Sequence, residues 1–148
     1  EVNLEGHWQG ALDCVSTWED DDGSESMLAY VADVEMDLVE GAGGRHAGDL
    51  AQTASWVLAS GVEGSQWALW EITLYQTNPR GAQQVNMLDY ECVEASLVSN
   101  GDLLAEGCDD VNPGVGKTEF SWDGADTLTE NGSCEGALVR VTGAVEAG

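Results

Sequence analysis

The dominant period along this chain is two. Over residues 26–39, Leu28, Tyr30, Ala32, Val34, Met36 and Leu38 fall on one face, with Asp33, Glu35 and Asp37 on the other. That is the alternation of a strand with one face buried and one wet. A helix would group Asp33 with Asp37 but leave Val31 and Val39 badly placed, so the spacing predicts a strand. Over 66–76, Ala68, Trp70, Ile72 and Leu74 share one face, while Trp67, Leu69 and Tyr75 on the other predict a strand covered on both sides. Leu4, Trp8, Leu12 and Cys14 alternate near the start, and shorter strands are expected over 46–58, 85–98, 102–106, 118–122 and 134–142.

Turn signals punctuate these runs, among them Asp22-Gly23, Gly41-Ala42-Gly43-Gly44, Asn78-Pro79-Arg80-Gly81, Asn112-Pro113-Gly114 and Asn131-Gly132. Asn100-Gly101 is the clearest hairpin turn, because both residues tolerate the positive φ that a tight two-residue connection demands. The pattern therefore predicts an all-β chain, a single-domain antiparallel β-barrel or sandwich of about eight strands spanning 1–148. A weak internal echo, GHWQGALDCV at 6–15 and GSCEGALVRV at 132–141, would place the first and last strands in related environments, as neighbours closing a barrel.

Charge changes the picture most. The chain carries 28 acidic side chains against four basic ones, a net charge of -24 on 148 residues. With 43% hydrophobic residues and six Trp, this is a folded domain with a charged surface and not a disordered polyanion. Nucleic acid is not expected as a partner, since neutralising phosphates takes Lys and Arg and only Arg45, Arg80, Lys117 and Arg140 are present, scattered. An anionic membrane surface would repel the chain, and membrane insertion is not expected, as no apolar run approaches the ~20 residues of a spanning helix. The partners left are cations, neutral ligands such as glycans, basic proteins, or copies of itself under screening salt. The acids are spread along the whole chain, which favours adaptation to salty water over dedicated cation binding.

The four cysteines, Cys14, Cys92, Cys108 and Cys134, show no CxxC pair, and His7 and His46 lie far from them, so a zinc site is not expected. An even count at wide spacing reads as two disulfides in an oxidising compartment. The expected pairs are Cys92–Cys108, closing a local hairpin, and Cys14–Cys134, tying the first strand to the last. A start at Glu1 fits a mature secreted protein.

Candidate sites are few. In the acidic loop at 18–26, Asp20, Asp21, Asp22 and Glu25 offer oxygen ligands suited to calcium, the one cofactor considered, although the EF-hand pattern fails. Glu106, Asp109 and Asp110 form a second acidic cluster. Trp8, Trp56 and Trp70 fit core positions, whereas Trp18, Trp67 and Trp122 have polar neighbours and are candidates for stacking on sugars or anchoring a partner. Val2 and Leu4 could add an N-terminal strand to a neighbour's sheet edge. Asn131-Gly132-Ser133 is a formal glycosylation sequon. There is no GxSxG, HExxH, phosphate-cradling loop or Ser-x-x-Lys, so no enzyme activity is expected.

Gly6-His7-Trp8 at the start, followed by a β-meander with Arg140 near the end of the last strand, resembles the calycin pattern. In lipocalin- and avidin-like barrels a Trp on the first strand is covered by a late basic residue. Loop lengths and the other family signatures do not match. The resemblance implies a closed antiparallel barrel and a ligand cavity. The sequence thus leads to two expectations: a secreted, non-enzymatic cell-surface structural or adhesion protein that self-assembles, and, as the alternative, a calycin-like module for a glycan or small ligand.

Overall fold

The computed structural model describes residues 4–76, 83–111, 113, 119–123, 125–130 and 134–141. Nearly all of them are strand: β1 (Gly6–Glu19), β2 (Glu25–Glu40), β3 (Arg45–Val57), β4 (Glu63–Gln76), β5 (Gln83–Ser99), β6 (Asp102–Glu106), β7 (Glu119–Trp122), β8 (Thr127–Glu130), β9 (Cys134–Glu135) and β10 (Ala137–Val141). One helical turn, α1 (Cys108–Val111), follows β6. Every strand pairing is antiparallel. The order β1-β2-β3-β4-β5-β7-β8-β10 returns to β1, giving a ring of eight strands. Only one end is a full ring. β1 to β5 have 13–17 residues, whereas β7, β8 and β10 have four or five. Beyond the short strands, the long ones continue as an open sheet, with β6 added beside β5.

The alternation read from the sequence is the alternation of burial. In β2, Ala32, Val34, Met36 and Leu38 are buried and the residues between them exposed. At the ring end Trp8, Met36, Leu74, Val85, Leu128 and Leu138 are fully buried and fill the interior. Each large apolar side chain removed from water contributes roughly 1.5–3 kcal/mol before the cost of ordering it. On β4, Trp67, Leu69 and Tyr75 are half-buried and Glu71 exposed, so the outer face is partly covered where the sequence predicted full cover. Two register shifts along β4–β5 place extra residues in β5. Such bulges bend and twist a strand, and here they let β5 pair with β7 at one end and β6 at the other. Asn100 and Gly101 turn the chain from β5 to β6 with φ of 50° and 86°, the paired positive values of a type I′ turn. Gly48 is required by a close approach: a Cβ there would lie 1.7 Å from the Asp37 carbonyl oxygen.

The ring is fastened where β1 meets β10. Trp8 and Arg140 are register partners, and the guanidinium carbon stands 4.7 Å from the centre of the Trp8 ring. Arg140 Nη1 donates to the Glu5 carbonyl (2.9 Å), Nη2 to the Ala125 carbonyl (2.6 Å) and Nε to Asp126 Oδ1 (2.8 Å). Trp8 Nε1 donates to the Leu4 carbonyl at 2.8 Å. One planar cation thus joins the N-terminal segment, the first strand and the 125–126 turn. The Trp-and-basic pair of the calycin resemblance is physically present. The interior behind it is packed with side chains.

Both disulfides have the expected connectivity. Cys14–Cys134 joins β1 to β9 and Cys92–Cys108 joins β5 to α1. They fit an oxidising compartment. Among the described residues, no helix is long and apolar enough to cross a membrane.

Candidate assembly edges and an outer groove

The open end of the sheet exposes two edges. β1 pairs with β10 at residues 7–9 and with β9 at 13–14, so from Val15 onward its outer side carries no strand among the described residues. On the other side, β6 pairs with β5 alone among the described residues. Each edge has an uncharged stretch in a very acidic chain: Val15-Ser16-Thr17-Trp18 on β1 and Leu103-Leu104-Ala105 on β6. Leu103 and Leu104 are 58% and 61% exposed. An unpaired edge presents free N–H and C=O groups, and soluble proteins usually blunt it with charge or proline. Here charges only flank the edges, as Asp13 and Glu19, and as Asp102 and Glu106.

The outer face carries a groove of about 780 Å³. Cross-strand register explains it. Glu135, Asp13, Val31, Ser55, Ser65 and Val98 form one row across β9, β1, β2, β3, β4 and β5. The adjacent row places Val15 opposite Ala29, and Val57 opposite Glu63. All these residues line the groove and alternate with the buried set, so they point away from the core. Its floor is aliphatic, with Val15, Val31 and Val57 exposed, and carboxylates stand at its two ends. Trp56 also lines it and lies over Gly64, where a Cβ would come within 2.4 Å of the indole nitrogen.

A second depression of about 580 Å³ is acidic, lined by Asp49, Glu71, Asp89 and Glu91 around Tyr90. Asp37, Asp49, Glu71 and Glu91 are successive register partners across β2 to β5. His7, opposite Asp37 on β1, ends this row, with Nδ1 2.7 Å from Asp37 Oδ1. That hydrogen bond, with the nearby carboxylate charge, raises the pKa of His7 above its ordinary 6.5.

The acidic loop is an internally bonded turn. Asp22 Oδ1 accepts from the Ser24 amide (2.9 Å) and hydroxyl (2.6 Å), which lowers its pKa, and Asp20 accepts from the Ser24 and Ser26 hydroxyls. Asp21 and Glu25 are exposed, as are Glu106, Asp109 and Asp110 near α1. Among the described residues, no group of three or more His, Cys, Asp or Glu converges on a point that could hold a metal ion.

The three tryptophans picked from polar surroundings do not come together. Trp122 is in the core, 7% exposed, its Nε1 donating to the Ala125 carbonyl, which corrects the expectation of a surface ring. Phe120 and Trp122 alternate inward past Ser121, and strand parity outweighs the polar neighbours. Trp67 is half-buried on the outer face, one register row from the groove. The Trp18 side chain lies outside the described residues. Leu4 is likewise corrected as an assembly residue: it is fully buried, its N–H donates to His46 Nε2 at 3.0 Å and its carbonyl accepts from Trp8. Val2 and the Asn131 sequon lie outside the described residues. Sequence reasoning missed the outer groove, because its acids and valines meet only through register. No protein-family model, curated protein or solved structure matches this chain.

Proposed function

We propose that this chain is a secreted, non-enzymatic structural subunit of a cell surface or extracellular filament, assembling with copies of itself edge to edge. The observation that carries the reading is the pair of uncharged stretches on the edge strands at opposite sides of one open sheet. Strand directions alternate from β1 to β6, so β6 of one copy laid beside β1 of the next continues the same antiparallel order. The two surfaces differ, which makes the contact heterologous and lets it propagate. Main-chain hydrogen bonds would supply affinity, and the exposed leucines of β6 apolar area. Both disulfides, by resisting unfolding outside the cell, suit such a role.

The test is a mixing experiment followed by light scattering in near-molar NaCl. Blocking one edge with Ser16→Lys and Thr17→Lys, or the other with Leu103→Lys and Leu104→Lys, leaves each protein one competent edge of opposite kind. Each variant alone is expected to be a 15.6 kDa monomer, the mixture a dimer, and the wild type a longer series. A wild type that stays monomeric in high salt, or blocked variants that assemble as it does, would overturn the reading.

A further inference from the structure

Asp13 and Glu135 are direct register partners, and the adjacent pair Cys14–Cys134 is covalently bonded with its Cα atoms 4.0 Å apart. Like charges directly opposite each other disfavour strand pairing, yet here a disulfide holds two carboxylates side by side. Both stand at one end of the outer groove, and Glu63 stands towards the other. Between them lies the aliphatic floor of Val15, Val31 and Val57. Of the four basic residues, Arg140 is engaged by Asp126, Glu5 and Ala125 and Arg45 lies over Tyr75, so neither serves these acids. The groove presents negative charge at both ends and apolar surface in the middle.

We propose that this groove binds an extended peptide segment in which two cationic side chains flank an apolar one. Spacing supports the match. Asp13 on β1 and Glu63 on β4 are three strand intervals apart across the sheet and two residues apart along it, about 16 Å in all, within reach of long cationic side chains at the ends of such a segment. In an extended peptide, residues 1, 3 and 5 point the same way and span about 13 Å. A cation at the first position reaches the Asp13–Glu135 pair, an apolar third residue rests on Val31 and Val57, and a cation at the fifth reaches Glu63. A second copy of this chain does not fit, since it brings a charge of -24 and four scattered basic residues. The groove meets the β1 edge only at Val15, and the proposal does not depend on self-assembly.

The experiment titrates end-blocked Lys-Thr-Val-Thr-Lys into the isotope-labelled variant blocked at β6 (Leu103→Lys with Leu104→Lys), which leaves the β1 side of the groove unchanged, at 0.3 M NaCl, followed by amide and methyl chemical shifts. Shifts are expected at Val15, Val31 and Val57, with weaker binding when Ser replaces the central Val of the peptide and none when Glu replaces both Lys. Glu63→Gln with Glu135→Gln should weaken binding five- to tenfold. Glu71→Gln with Glu91→Gln, an equal charge change in the acidic depression, should leave it within twofold. No shift change at millimolar peptide, equal affinity for the Ser-centred peptide, or equal loss in both double variants would overturn the proposal. Equal loss in particular would reveal attraction to net charge alone.

Discussion

Replacing Arg140 by Ala tests the clasp that closes the ring. Arg140 donates to two main-chain carbonyls, each hydrogen bond contributing about 1 kcal/mol. Its position over the Trp8 ring contributes about another 1 kcal/mol. The bond to Asp126 is discounted to about 0.5 kcal/mol, because that carboxylate is more than half exposed and screened by salt. Together these predict a loss of about 3.5 kcal/mol, a fall in Tm of about 12 °C at this chain length. Arg140→Lys keeps the charge but loses the planar fork that reaches three acceptors, so about half the loss remains. The assay is urea unfolding of the disulfide-intact, edge-blocked monomer, followed by Trp fluorescence. A Trp8→Phe background should reduce the Arg140→Ala effect, since the two groups are coupled. A loss below about 1 kcal/mol, or Lys behaving as Arg, would refute the view that one guanidinium fastens three segments.

Three further outcomes follow from the same geometry. Removing Cys14–Cys134, which closes a loop of 120 residues, should lower stability by about 4–5 kcal/mol, against about 3 kcal/mol for the 16-residue loop of Cys92–Cys108; paired Cys→Ala variants in urea check the order. Asp49→Asn, in the middle of the carboxylate row, should raise stability by a few tenths to 1 kcal/mol at low salt, a gain that vanishes near 1 M NaCl in paired melts. His7 should titrate above 6.5 by NMR and return towards it in Asp37→Asn. Its folded pKa is raised, so its contribution to stability is complete below about pH 6.5 and is lost as the pH rises through the folded value. The stability difference between wild type and His7→Asn should therefore vanish in mild alkali.

How far the sequence could be read depended on the range of each interaction. Period-two alternation over 26–39 reappears as burial in β2, because each residue's face is fixed by its neighbours. Asn100-Gly101 was legible for the same local reason, since positive φ is a property of those residues. The pairing of first and last strands had a weak echo, a lone Gly-x-Trp and the expected Cys14–Cys134 link behind it. Trp122 was misread because polarity of sequence neighbours was taken as exposure, although within a strand the neighbours face the other way. The groove and the carboxylate row were out of reach. Asp13 meets Glu135, and Asp49 meets Glu71, through strand registers, and register does not appear in composition. The open end arises from unequal strand lengths, another product of pairing.

In the proposed assembly the same surface would both keep copies apart and bring edges together, and range separates the two effects. Repulsion between subunits of charge -24 acts over about 10 Å at 0.1 M salt and about 3 Å at 1 M. Edge-to-edge hydrogen bonds act only at contact, and ionic strength barely touches them. Dilute buffer therefore holds the edges beyond their own reach, whereas high salt removes the barrier and leaves the attraction. On that reading the lack of charge within Val15-Ser16-Thr17-Trp18 and Leu103-Leu104-Ala105 has a physical reason, because a carboxylate inside either stretch would stay close to its counterpart after screening. The carboxylate row lies on the outer face and remains hydrated when edges pair, so it sets solubility without blocking the contact. On the proposed reading, acidity sets a threshold for assembly, and the uncharged stretches of β1 and β6 determine where it occurs.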